Sequence, residues 1–512
     1  MKNAARRNQR REGVSYHAAR MKNRVNGATP RFGPRVLGIA LGVVSMVCAV
    51  ACKHSDSTST SKEVPSATSP QAPSTGDASP GHASAGETPA GKQFAAWLTA
   101  FNAGDRGALV AYHQKYFPYE VASADVRGID PELGLSQATA GFHLKKTENP
   151  APTSIVAILK ERHSEQFARV TMEVDTAEPH RVLHFEIHPI PTPDEFFSAE
   201  ELKSRQVDDA KRRSLVDGIA KELQAHYVIP DVANRMITAL RDHLAHGDYD
   251  KITSGEEFAA TVTKDLRDVS HDLHLRIIFG RRPRGHEPSL DDQRAMLRSM
   301  NYGFGPIERM SGNVAHVVIN GFPPLVDDDS RKAVADLMSQ VADADAVLVD
   351  LRGNNGGEPE TVALIASYLF DTTPVHLNDM YSRDTGLVQQ SWTVRDLRGT
   401  RFGGKKPVYV LTSKRTFSGG EEFTYDLQSL HRAKIVGETT RGGAHPVGPH
   451  ELSEWFTILV PSGRPINPVT KTNWEGTGVV PDITVAADKA LDEAHRRALD
   501  DISSKRKRPA RP

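Results

Sequence analysis

Pro407-Val-Tyr-Val-Leu-Thr-Ser-Lys-Arg-Thr-Phe-Ser-Gly-Gly-Glu-Glu-Phe423 reads as a buried strand running into a glycine-rich turn and a helix. A short apolar, β-branched run stops at Lys414 and Arg415. Ser418 then opens what reads as a helix. A serine between a buried strand and a helix N-terminus can present its hydroxyl at the mouth of a sheet, where the following amides point at a developing oxyanion. A plainer reading competes with this one. Ser418-x-x-Glu421 is also a capping box, in which the serine only satisfies the first helical turn. Gly419 and Gly420 disfavour a helical start yet permit close approach of a ligand to the backbone.

On both sides of this segment, from about Asn313, the chain alternates strand and helix. Val314–Ile319 reads as a strand and Ser330–Val341 as a helix. Ala346–Leu351 is a buried strand and Glu358–Phe370 a helix. Val408–Leu411 is a strand, Gly420–Leu430 a helix and Lys434–Val436 a strand, with Trp455–Val460 and Ile483–Val485 supplying more. This order predicts an α/β core with a mainly parallel sheet and crossover helices over residues 300–490. Before it, residues 207–280 read as a helical subdomain. It has amphipathic segments over Asp208–Tyr227, Pro230–Ala245 and Ser254–Val269, then a strand over 272–280. Ser254-x-x-Glu257 is a capping box for the third helix. Residues 92–196 read as a small α+β domain: helices over 93–102 and Arg106–Tyr116, then strands over Ser154–Lys160, Gln166–Val174 and Arg181–His188. That order resembles the NTF2-like cone folds. Residues 491–512 read as a basic C-terminal tail.

Charge is unevenly spread. Net charge is zero over 512 residues, but residues 1–35 carry ten Lys/Arg and one Glu, and residues 36–52 carry none. The remainder has 54 basic and 63 acidic side chains, a net of −9, which argues against nucleic acid as a partner. Arg31 and Arg35 lead into an uncharged run from Val36 to Ala51. It is short for a membrane span and fits the apolar core of an export signal. Ala49-Val50-Ala51-Cys52 resembles the bacterial lipobox, which implies lipidation at Cys52 and membrane attachment. The expected location is the bacterial cell envelope, on the periplasmic or surface side, with residues 1–52 as signal peptide and Met21 as an alternative start. Residues 53–91, rich in Ser, Thr, Pro, Ala and Gly, read as a disordered tether. Cys48 and Cys52 are the only cysteines, so neither a disulfide framework nor a cysteine metal site is expected downstream.

Three further segments carry candidate chemistry. Asp350-Leu-Arg-Gly-Asn-Asn-Gly-Gly357 follows a buried strand. It suits an anion-seeking backbone turn or an ordinary strand-to-helix turn. Ser270-His-Asp-Leu-His-Leu-Arg276 holds His271 and His274 around Asp272. No further metal-ligand spacing accompanies it, so neither a metal nor another cofactor is expected. Asn473-Trp-Glu-Gly-Thr-Gly-Val-Val-Pro-Asp482 places Glu475 in a glycine-rich loop. His445, in a Gly-Gly-Ala-His-Pro loop, reads as solvated.

Together these segments resemble the tail-specific (C-terminal processing) serine peptidase family. Asp350-Leu-Arg-Gly-Asn-Asn-Gly-Gly is similar to its strand-and-glycine motif, and Thr416-Phe-Ser-Gly-Gly-Glu to its nucleophile segment. Val436-Gly-Glu-Thr-Thr-Arg-Gly-Gly resembles its loop motif, and Asp272-Leu-His274 its Asp-x-His element. Members of the Ser–Lys kind carry a lysine where this chain has Gly443. The chain therefore resembles instead the branch containing the tricorn protease core and interphotoreceptor retinoid-binding protein. Tricorn places a serine beside its histidine, where this chain has Leu273. The stretch Arg281–Gly312 is too short for a PDZ module.

The resemblance implies a ClpP/crotonase-like core and peptide-bond hydrolysis. Ser418 would be the nucleophile, His274 the base and Glu475 its support. The Gly419 amide, with that of Gly356 or Gly357, would form the oxyanion hole. His271 and His445 are the reserve bases. A protein or peptide is the implied substrate, and self-association is compatible with it. The same fold in retinoid-binding relatives implies, as the other reading, a non-catalytic holder of apolar ligands or proteins.

Overall fold

A computed structural model describes residues 88–117, 129–148, 150–281 and 289–507. The export-signal reading, Cys52 and the tether up to residue 87 lie outside these residues. The last residues assigned to the tether already belong to a helix, capped by Thr88.

The first part is three helices on an antiparallel meander. The helices are α1 (Pro89–Asn102), α2 (Arg106–Tyr116) and α3 (Ile129–Thr139), and the strands β1 (Phe142–Glu148), β2 (Ser154–Glu161), β3 (Phe167–Val174) and β4 (Val182–Ile190), paired in that order. Phe94, Trp97 and Phe101 lie at helical spacing on α1 and fill the core against Ala157, Val170 and Met172 of the sheet. Sequence reading finds neither α3 nor β1. β1 reads Phe-His-Leu-Lys-Lys-Thr-Glu, with one buried side chain, so its edge position comes from pairing with β2 rather than from its own pattern.

The second part is helical. The short α4 (Ala199–Arg205) leads into α5 (Asp209–His226), α6 (Pro230–His246) and α7 (Gly255–Ser270), followed by β5 (Arg276–Phe279). Ser254 caps α7 through the Glu257 amide, which is the serine half of the expected capping box. Next come α8 (Leu290–Ser299), β6 (Phe304–Met310), β7 (Val314–Ile319), α9 (Asp328–Val341), β8 (Ala346–Asp350) and α10 (Pro359–Ser367). Then follow β9 (His376–Ser382), β10 (Val388–Trp392), β11 (Val408–Thr412), α11 (Gly419–Ser429) and β12 (Lys434–Gly437). The chain closes with β13 (Val447–Ser453), β14 (Phe456–Pro461), β15 (Gly463–Ile466), β16 (Ile483–Thr484) and α12 (Ala490–Lys507).

The main sheet has the order β16-β12-β11-β8-β7-β6, parallel except for the β6–β7 pair. Every side chain of β8 and β11 is buried, as the continuous apolar runs require. Helices cover both faces. α9, α10 and α11 pack Val334, Leu337, Val362, Ile365 and Phe423 on one side. On the other, α12 lays Ala490, Ala494, Ala498 and Ile502 against Val314, Leu348 and Leu411. Much of the expected basic tail is therefore a structural helix. Its buried face is mostly alanine, a weak apolar signal among many charges.

A separate three-stranded sheet, β13-β14-β5, joins the helical part to the C-terminal part. Phe456, Ile458 and Val460 share one core with Leu215, Val216, Leu223, Phe258 and Leu266. This pairing carries residues 271–275 to the neighbourhood of residues 440–446. No helix among the described residues is long and apolar enough to cross a membrane.

Candidate active site

β8 and β11 are adjacent and parallel, and they end together, with Asp350 beside Leu411. The loops that follow must therefore meet. Thr416 donates through Oγ1 to the Leu351 carbonyl at 2.8 Å, Ser413 through Oγ to that of Arg352 at 2.6 Å, and the Phe417 amide to that of Asn354 at 3.0 Å. Ser418 stands at the head of α11 with φ +53° and ψ −120°. A β-carbon there costs about 1–3 kcal/mol, and such conformations persist where packing over-determines them. Ser418 and Glu421 stand as a capping box, closed by a hydrogen bond from the Ser418 amide to the carboxylate. Glu421 accepts the Ser418 amide at 2.9 Å, while the Glu421 amide donates to the Ser418 carbonyl at 2.8 Å. The side chain makes no cap hydrogen bond, and the residue is partly exposed. The fully buried Glu421 also accepts from Thr440 Oγ1 and from the Gly442 and Gly443 amides, at 2.5, 2.6 and 2.9 Å. It thereby locks residues 440–443 to the serine turn.

Around Ser418 the walls are backbone. A β-carbon on Gly356 would lie 2.9 Å from the Gly419 nitrogen, one on Gly419 2.9 Å from the Gly357 carbonyl oxygen, and one on Gly357 2.0 Å from the Phe322 carbonyl oxygen. Each site admits only glycine, because main chain lies where a methyl group would go. The amides of Gly357 and Gly419 have no acceptor among the described residues. Gly356 is a correction: its amide donates to Asn354 Oδ1 at 2.8 Å. Of the two alternatives for the second oxyanion donor, only Gly357 keeps a free N–H.

His274 lies beside this turn. Its ring stacks on that of Phe417, centroids 4.5 Å apart at 27°. A β-carbon on Gly443 would fall 2.2 Å from Phe417 Cε2 and 2.9 Å from His274 Cε1. The glycine at the lysine position thus vacates space that the phenylalanine and imidazole fill. Burial pushes the His274 imidazole down to about 4, against a smaller upward pull from Asp272, so the ring is neutral at physiological pH. Its Nδ1 is buried without a hydrogen-bond partner among the described residues.

Behind His274 is a cluster that sequence reading assigns only in part. Asp272 is fully buried. It accepts the His274 amide at 3.0 Å, His445 Nδ1 at 2.7 Å and the Tyr227 hydroxyl at 3.3 Å. His445 is not solvated, being 3% exposed. Burial lowers its pKa, but the Asp272 hydrogen bond and the charges of Glu475 and Asp272 outweigh this and hold it above the ordinary value. Glu475 accepts the Ala444 and His445 amides at 2.5 and 3.2 Å and lies 3.6 Å from His445 Nδ1. Burial, then Asp272, pushes its carboxyl up to about 7. No hydrogen bond joins Glu475 to His274 among the described residues, so any support passes through His445 and Asp272. His271 is exposed at the left-handed cap of α7, outside the cluster. The signal for Asp272 was its place two residues before His274; nothing local marks His445, whose partner is 173 residues away.

The site therefore offers an accessible hydroxyl on a strained turn, two free amides, a neutral imidazole nearby and a buried carboxylate–imidazole network. That set suits acyl transfer. Among solved structures, the chain is similar to a lipoprotein from Streptococcus agalactiae at 13% identity and TM-score 0.38, covering 57% of this chain and 96% of that one. The photosystem II D1 C-terminal processing protease matches at 13% and 0.37, covering 57% and 98%. The tricorn protease matches at 12% and 0.38, covering 70% and 42%. The sequence model of peptidase family S41 matches residues 313–485, and that of the N-terminal domain of the family, as found in eukaryotic interphotoreceptor retinoid-binding protein, matches residues 209–302. The chain belongs to peptidase family S41.

Proposed function

We propose that the chain is an exported serine peptidase that cleaves peptide bonds through an acyl-enzyme on Ser418. The observation that carries this reading is the Ser418 turn: a serine held at positive φ, its side chain making no cap hydrogen bond, packed with Gly419 against the Gly356–Gly357 backbone. Ser418 Oγ attacks the scissile carbonyl, and its proton passes to His274. The carbonyl oxygen takes up the negative charge between the Gly357 and Gly419 amides, each such donor lowering the barrier by about 3–4 kcal/mol. The imidazolium returns the proton to the leaving amine, and water then repeats the sequence on the ester. Asp272 fixes the His274 backbone and receives support from His445 and Glu475. The basic head, uncharged run and Cys52 support export and lipid attachment, which Cys52→Ala tests through loss of acyl labelling.

The test uses the full-length protein, a denatured protein substrate and a serine-reactive phosphonate. Cleavage and labelling are expected, both lost in Ser418→Ala. Labelling that persists in Ser418→Ala removes the assignment. Absence of cleavage by the folded wild type, together with a co-purified apolar ligand, favours the binding-protein reading instead.

A further inference from the structure

On the outer side of the helical part, the last turn of α5 meets β13 and the turn between β9 and β10. Glu222 and His226 are four residues apart on α5 and share a face. β13 brings His450 to the same place. Glu222 Oε2 is 3.5 Å from His226 Nε2 and 3.1 Å from His450 Nδ1. The two imidazole rings lie 4.2 Å apart, tilted by 32°. All three donor atoms fall within 4.8 Å of one another. A tetrahedral ion with bonds of about 2.0–2.1 Å spaces its donors by about 3.3–3.4 Å, so the measured separations already fit.

A second observation is independent of these distances. Asp384 Oδ1 lies 2.7 Å from His226 Nδ1, the ring nitrogen facing away from Glu222. A carboxylate in that place holds the proton on Nδ1 and turns the Nε2 lone pair forward, as behind many metal-bound histidines. Nε2 then faces a carboxylate oxygen, two acceptors with no proton between them. The turn carrying Asp384 is itself fixed. Arg383 donates to the Ala225 and Gln224 carbonyls at 3.1 and 2.8 Å, closing the C-terminus of α5.

The geometry points to a site for one divalent transition-metal ion of the zinc class, held by Glu222, His226 and His450 and completed by water. The three side chains are 17%, 31% and 20% exposed, which leaves a way in and room for a water ligand. The ion would join α5 to β13. Tyr227 follows His226 and reaches Asp272, and β13 begins two residues after His445. The site would therefore brace the Asp272–His445 network from outside. The rival account is a doubly protonated His226 bridging Glu222 and Asp384.

Full-length protein stripped with a chelator is titrated with Zn2+, and bound metal is counted after desalting. One ion per chain is expected, with a rise in Tm, and Co2+ is expected to give the visible absorption of a tetrahedral site. His226→Ala combined with His450→Ala should abolish binding. Asp384→Asn should weaken it about 10- to 100-fold. His445→Ala, in the separate Asp272–His445–Glu475 cluster, should leave it intact. If the double variant does not fold, Glu222→Gln and Asp384→Asn carry the test. No stoichiometric binding by the wild type overturns the proposal. So does binding that survives the variants at 222, 226 and 450, or that disappears in His445→Ala.

Discussion

Gly443→Ala adds one methyl group at the point where the site is tightest. The new Cβ would fall 2.2 and 2.5 Å from two Phe417 ring atoms and 2.9 Å from His274 Cε1, where ordinary contact begins near 3.4 Å. The Phe417 ring must retreat by about 1.2 Å, and the stacked imidazole with it. The ring cannot swing freely, because Arg441 lies over it at 5.0 Å and His274 stacks on it. A displacement of about 1 Å in a reacting group costs about 100-fold in rate, or about 2.7 kcal/mol. The overpacking itself costs about 1–3 kcal/mol of stability. The assay is the second-order rate of phosphonate labelling at Ser418, read beside Tm. Labelling should fall about 100-fold in a protein that still melts cooperatively. Phe417→Leu, added to Gly443→Ala, should recover part of the rate. A Gly443→Ala protein that is folded and labels at the wild-type rate would refute His274 as the base, because its ring could not then be where activity needs it.

Other outcomes follow from the same geometry. With His274 held near 4 by burial, raising pH through about 4 frees the base, so no inflection is expected at the ordinary histidine value of 6.5. An inflection near 7 in the labelling profile should belong to the Glu475–His445 pair and shift in Glu475→Gln. Because burial raises the Glu475 pKa above its unfolded value of 4.5, its stabilisation is complete below about 4.5 and lost as pH rises through about 7. The Tm of Glu475→Gln relative to the wild type should therefore improve from pH 5 to pH 8. Asp350→Asn should cost about 3–5 kcal/mol in denaturant melts. Burial pushes that carboxyl up, yet His316 and Arg352, at 3.2 and 2.6 Å, hold it well below the usual range. Tyr409→Phe, which loses the 2.7 Å bond to Asp501, should cost about 1 kcal/mol and test the docking of α12.

The order of strands and helices in the core was legible because β8 and β11 are buried on both faces and read as unbroken apolar runs. The Ser418 turn was legible for a related reason: three glycines mark places where main chain touches main chain. β9 and β10 escaped detection because Asn, Asp, Gln and Ser dominate them, and their antiparallel register supplies what their composition does not. The choice between Gly356 and Gly357 was not readable either. It turns on the Asn354 side chain taking one amide, a local bond that any asparagine in a glycine-rich turn could make or leave unmade. His445 was misread for a different reason. A loop of small residues looks solvated until β5 and β14 pair and carry Asp272 to it.

That pairing has a consequence for the timing of synthesis. Ser418 rides on the main sheet, whereas His274 is placed by β5, whose partner β14 begins at Phe456. A growing chain that has already exposed the serine turn still lacks the strand that brings the base to it. On the proposed chemistry, the enzyme stays silent on the ribosome until β14 has emerged, and its own unfinished chains are spared from digestion.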